Sequence, residues 1–171
     1  MIVVSQSKYS PFMDKYLLRN TSTLQLLEEA NADADAADTI KPIILGILGN
    51  STSAKWNRDT ISESVMNPIL GEIGLPNTIL MPTEGVTSIL LQIWSDRHNI
   101  SSQSIDADWI RLGRRARVIR DGRILKESTH LVFFLGTRSD YYEKIAIREA
   151  KRGKQVFTID SKTLEITQLH I

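Results

Sequence analysis

Cysteine is absent from the 171 residues, and with it go disulfide frameworks, thiolate nucleophiles and thiolate-held metal centres. The three histidines, at 98, 130 and 170, are scattered without ligand spacing, so no metal is assigned and no cofactor is called for. No apolar run approaches the ~20 residues that cross a bilayer. The opening Met1-Ile2-Val3-Val4 is too short for the apolar core of a secretion signal. A membrane partner is therefore not expected, and the cytoplasm is the expected compartment. Charge of either sign is also missing in bulk: 21 Lys and Arg against 20 Asp and Glu leave a formal net charge of +1. Nothing in that balance demands nucleic acid, which is not expected as a partner.

What remains is ordinary for a globular chain, 42% hydrophobic and 24% charged, long enough for one sizeable core. The chain divides into residues 1–41 and 42–171. In the first part, Ser10-Pro11 makes a helix start with Phe12, Tyr16 and Leu17 on one face. Residues 31–38 then alternate small and acidic side chains without a large apolar group. Such a stretch buries too little surface to offset its ordering entropy and reads as a linker. The first part is thus an arm or helical appendage.

From Ile43 the pattern changes. Ile43-Ile44-Leu45-Gly46-Ile47-Leu48 is a buried-type strand, followed by the polar turn Gly49-Asn50-Ser51. Asp59 is the expected cap of a helix carrying Ile61, Val65 and Ile69. A second strand at residues 78–81 exits through Glu84-Gly85-Val86-Thr87 into a helix with Leu90 and Trp94. A short third strand fits residues 100–105, and residues 106–128 read as helix interrupted near Gly113 and Gly122. Leu131-Val132-Phe133-Phe134-Leu135 is the strongest strand signal; it opens into Gly136-Thr137 and a helix stopped by Gly153. Strands follow at residues 155–159 and, at an edge, 163–169. Strands alternating with helices predict an α/β, Rossmann-like three-layer sandwich with a mostly parallel sheet. Ligands of such sheets bind beyond the carboxyl ends of the strands, which aligns the turns at Gly49, Glu84-Gly85 and Gly136-Thr137 along one rim.

That order of motifs, with Ala107-Asp108-Trp109, Gly113, Ala116 and Arg120 leading to Gly136-Thr137, resembles the SLOG superfamily. Within it the YspA-like branch looks nearest, and relatives include DprA and the Lonely Guy phosphoribohydrolases. The resemblance covers residues 43–159. It implies a Rossmann-like domain that holds nucleotides or nucleotide-derived ligands, with some members cleaving an N-glycosidic bond, and it implies a homodimer. It places Arg120 facing the ligand and Gly136 and Thr137 at the phosphate-binding turn. Gly85 and Thr87 fall on the family's Gly-Val-Asp turn, with Thr87 replacing the acid. The phosphoribohydrolase turn, Pro-Gly-Gly-x-Gly-Thr with glutamates close behind, is reduced here to Leu135-Gly136-Thr137-Arg138-Ser139-Asp140.

The ligand-binding candidates are therefore Gly49, Asn50, Ser51, Gly85, Thr87, Asp108, Trp109, Arg120, Gly136 and Thr137. Arg120 can grip a phosphate with its planar fork, although it sits in an arginine run of the kind that lines solvated faces. Trp109 can stack on a base, whereas Trp94 sits at core spacing. Asp108 can accept from a ribose hydroxyl or cap the helix beginning there, the cap being favoured. Glu84 and Asp140 are the catalytic candidates for glycosidic cleavage, which needs paired carboxylates; both also suit helix N-terminal positions without catalysis. The leading expectation is binding of a nucleotide or nucleotide-derived small molecule at the rim. The alternatives are a nucleoside-monophosphate glycosidase or deoxyribosyltransferase, and a structural or interaction protein that has lost the ligand.

Overall fold

The computed structural model describes residues 40–49 and 56–171. The expected arm over residues 1–41 lies, except for its last two residues, outside the described residues. So do Asn50 and Ser51.

Strand β1, Ile44–Gly49, is apolar along its length because it runs through the middle of a sheet and is covered on both faces. A π-helical segment, Thr60–Met66, continues into α1, Asn67–Ile73. Its start is held by Asn57, whose Oδ1 accepts from the Thr60 backbone N–H at 2.9 Å. Asp59 makes no side-chain capping bond, so the cap expected there lies two residues earlier. Then follow β2 (Thr78–Pro82), α2 (Val86–Arg97) and β3 (Ser101–Ile105). The single turn α3 (Trp109–Leu112) leads through a 3-10 turn, Gly113–Arg115, into α4 (Ala116–Glu127). The break falls at Gly113, as its pattern predicts. Gly122 causes none: it sits mid-helix with no side-chain-sized neighbour to meet, and the cost of a helical glycine, ~1 kcal/mol, is too small to end a helix packed on both sides of it. Strand β4 (His130–Leu135), α5 (Asp140–Lys151), β5 (Gln155–Asp160) and β6 (Ile166–Leu169) complete the domain.

The sheet order is β3-β2-β1-β4-β5-β6. The first five strands are parallel, and β6 pairs antiparallel to β5 at the edge. Alternate residues feed two cores. Leu45, Ile47, Ile79, Met81, Val132 and Phe134 pack with the π-helical segment, α1 and α2. Leu48, Leu80, Leu131, Phe133 and Val156 pack with α4 and α5. This is a three-layer α/β sandwich of Rossmann-like type. Because the chain winds outward first through β2 and β3, then returns to the other side of β1 through β4, the winding reverses between β1 and β4. A crevice opens at the carboxyl ends of strands at such a point.

Gly49 marks that crevice. It pairs with Phe134 across β1 and β4 and has φ 113°. A Cβ built there would meet the Phe134 carbonyl oxygen at 2.2 Å. Both the backbone angle and the space exclude a side chain, so glycine is required where β1 leaves the sheet.

Candidate functional site

Beyond the ends of β1 and β2 lies a cleft of about 320 Å³ lined by Gly49, Pro82, Glu84, Arg117, Arg120, Arg138 and Tyr142. Its chemistry is built from helix α4. The buried stripe of that helix is Ala116, Arg120, Asp121, Ile124 and Leu125, so a cation and an anion are carried inward on a face otherwise meant for apolar contact. Arg120 is only 6% exposed and Asp121 1%. Burial of either alone would be very costly, and pairing is what makes the position tenable. Asp121 Oδ1 accepts from Arg120 Nε at 3.0 Å and Nη2 at 2.8 Å. Its other oxygen, Oδ2, accepts from the Tyr142 hydroxyl at 3.1 Å. Burial, and next the adjacent Asp121 charge, push the Tyr142 phenol up to about 12, so the ring stays protonated and donating at physiological pH.

The Nε–Nη2 side of the Arg120 fork is thus committed to Asp121. Its Nη1 lies 3.5 Å from Glu84 Oε1, and that same oxygen accepts from Trp109 Nε1 at 2.8 Å. Glu84 is half exposed, as is Trp109. Arg117 lies over the Tyr141 ring, 5.6 Å from its centroid. Three guanidinium-bearing residues, Arg117 and Arg120 from α4 and Arg138 from the β4–α5 turn, line the same opening.

A second opening, about 370 Å³ between α4 and α5, is also basic, with Lys126, Arg148, Arg152 and Lys154 around Glu149. There the charges are already matched. Glu149 Oε1 takes Arg148 Nε at 3.1 Å and Arg152 Nη1 at 2.8 Å, and Oε2 takes Lys154 Nζ at 3.3 Å. Burial raises the Glu149 carboxyl, but these three cations together outweigh it and hold the group below its ordinary range. That cluster ties α5 to α4, since Lys154 Nζ also donates to the Leu125 carbonyl.

The residues singled out by sequence are distributed as follows. Gly49, Glu84 and Arg120 line the cleft together, and Trp109 joins them through Glu84. Gly85 precedes α2 at φ 103°. Thr87 is buried and faces a much smaller recess with Gly49, Pro82 and Phe134. Asp108 caps α3, its Oδ1 accepting from the Arg111 N–H at 3.0 Å, while Oδ2 pairs with Arg111 Nε at 3.1 Å. Gly136 and Thr137 form the turn after β4; the Gly136 N–H donates to Ser139 Oγ, and neither residue is among the cleft lining. Asp140, the exposed first residue of α5, is likewise outside that lining. Trp94 is buried in the core and stacks on His98, ring centroids 4.4 Å apart.

Sequence reasoning missed Asp121 as a partner of Arg120, together with Arg117, Arg138 and Tyr142. Asp121 was readable: at helical spacing, 120 and 121 fall between Ala116 and Ile124–Leu125, which marks both as inward-facing.

No family model matches the chain, nor does any curated protein or solved structure compared with it. The Rossmann-like class rests on the strand order, the parallel pairing and the two helical layers.

Among the described residues no group of histidine, aspartate and glutamate is placed to hold a metal ion. No helix there is long and apolar enough to cross a membrane.

Proposed function

We propose that this domain binds a nucleotide or nucleotide-derived small molecule in the cleft beyond β1, β2 and β4, with the phosphate on its arginines. The observation that carries the proposal is the convergence of Arg117, Arg120 and Arg138 on an opening floored by Gly49, which has no side chain to obstruct an approaching oxyanion. Arginine forks suit phosphate in both charge and geometry. The location supports it as well, because a reversal of winding is where open parallel sheets receive ligands. The half-exposed Trp109 ring lies within reach of the same cleft through Glu84 and offers a face for a base. The resemblance to the SLOG superfamily points the same way, and with it we carry two further proposals: phosphate contact at the Gly136-Thr137 turn beside Arg138, and a homodimer.

Titration calorimetry against mononucleotides, cyclic nucleotides and dinucleotides tests the reading. We expect at least one phosphate-bearing member to bind, and Arg117→Gln and Arg138→Gln each to weaken it by about ten- to a hundredfold, the range of a hydrogen bond to a charged group. Silence across the whole panel would refute it.

A further inference from the structure

We propose that Glu84 is a tethered competitor for the anion: its carboxylate holds the end of Arg120 that a phosphate would take, and a bound phosphate displaces it. The inference rests on the binding reading above and specifies how that site discriminates.

The argument begins with the geometry of the guanidinium. An arginine presents a side edge, Nε with Nη2, and an end edge, Nη1 with Nη2. Asp121 Oδ1 occupies the side edge at 3.0 and 2.8 Å. That pair is buried and has Tyr142 as a second partner, so the side edge is taken. The end edge is the part left for a ligand, and Glu84 Oε1 lies 3.5 Å from its Nη1. The two carboxylates differ sharply in environment, 1% exposure for Asp121 against 51% for Glu84. A pair at that distance with one partner half exposed is weak, and Glu84 gives up little when an oxyanion with three acceptor atoms takes its place. An ionised Glu84 and a phosphate dianion cannot comfortably share one guanidinium end, because like charges at a few ångströms repel.

Displacement has a local consequence. Glu84 Oε1 is also the acceptor of Trp109 Nε1 at 2.8 Å, so moving the carboxylate frees the indole N–H and alters the surroundings of a half-exposed ring. Arrival of the anion is thereby coupled to the aromatic side chain that flanks the cleft.

The experiment measures inorganic phosphate and adenosine monophosphate binding to the wild-type chain, Glu84→Gln and Glu84→Ala, by calorimetry and tryptophan emission, with Trp109→Phe assigning the signal. Glu84→Gln keeps an acceptor for Trp109 and removes only the charge. Glu84→Ala removes both. Tighter phosphate binding by both variants, about fivefold, together with an emission change on phosphate addition that disappears in Trp109→Phe, supports the proposal. Inorganic phosphate has no sugar for Glu84 to contact, so weaker or unchanged phosphate binding by both variants overturns it. If adenosine monophosphate still binds in an Arg138-dependent way, the site reading survives that result. Absence of binding by the wild-type chain and both Glu84 variants to both probes overturns the inference, and silence across the whole nucleotide panel overturns the site reading with it.

Discussion

Replacing Asp121 with asparagine is the perturbation that asks most of this structure. The side chain is 1% exposed and Arg120 is 6% exposed, with two contacts at 2.8 and 3.0 Å between them. Asparagine preserves the volume and one acceptor oxygen, but leaves the Arg120 charge buried with only the half-exposed Glu84, 3.5 Å from Nη1, as an anion. Removing one member of a buried pair costs about 3–5 kcal/mol, chiefly from stranding the other charge. Against a total stability of ~5–15 kcal/mol for a domain, that is a large fraction. With a urea slope of ~2 kcal/mol/M, the midpoint should fall by roughly 1.5–2.5 M while the slope is unchanged. The double substitution Arg120→Met with Asp121→Leu should recover most of the loss, since a packed apolar pair can replace a buried ion pair at little cost, and should abolish anion binding. A single-variant loss under ~1 kcal/mol, or a double variant less stable than Asp121→Asn, would refute the reasoning.

Other predictions concern separate features. Gly49→Ala must accept φ 113° and a Cβ at 2.2 Å from the Phe134 carbonyl; we expect a loss of stability above ~2 kcal/mol in thermal or urea unfolding. Glu149 is held below its ordinary range in the folded chain, so its contribution is present above the unfolded value near 4.5 and is lost as pH falls through the lower folded value; Glu149→Gln should flatten the acid limb of stability against pH. Tyr142 has its phenol pushed up to about 12 against 10.0 unfolded, so stability should decline as pH rises above 10 and Tyr142→Phe should remove that alkaline decline, with ultraviolet titration showing one late-ionising tyrosine in the wild type.

The layers were legible because the signals are local and strong. The run Leu131 to Leu135 and the strand before Gly49 could only be buried, and helices between them forced parallel pairing. Gly49 was legible only as a turn, because its contact with the Phe134 carbonyl depends on strand register and not on its neighbours in sequence. The interruption expected near Gly122 is absent because Ile124 and Leu125, buried on the far side of it, hold the helix in place, a packing term that glycine propensity does not contain. The cap expected at Asp59 falls on Asn57 instead, whose side chain accepts from the Thr60 N–H three residues on. In the cleft, Arg120 and Glu84 were each identified, but their meeting spans 36 residues, as Trp109 with Glu84 spans 25. Such encounters follow from the topology. Asp121 and Tyr142 acquire their roles only once α4 and α5 lie side by side on one face of the sheet.

The most direct measurement is a crystal structure of the chain grown with adenosine monophosphate. Phosphate oxygens within about 3.2 Å of the Nη1–Nη2 end of Arg120, with Arg138 or Arg117 closing on the same group, is the predicted result. The nucleotide bound elsewhere, or a cleft still bridged by Glu84 at saturating ligand, would contradict it.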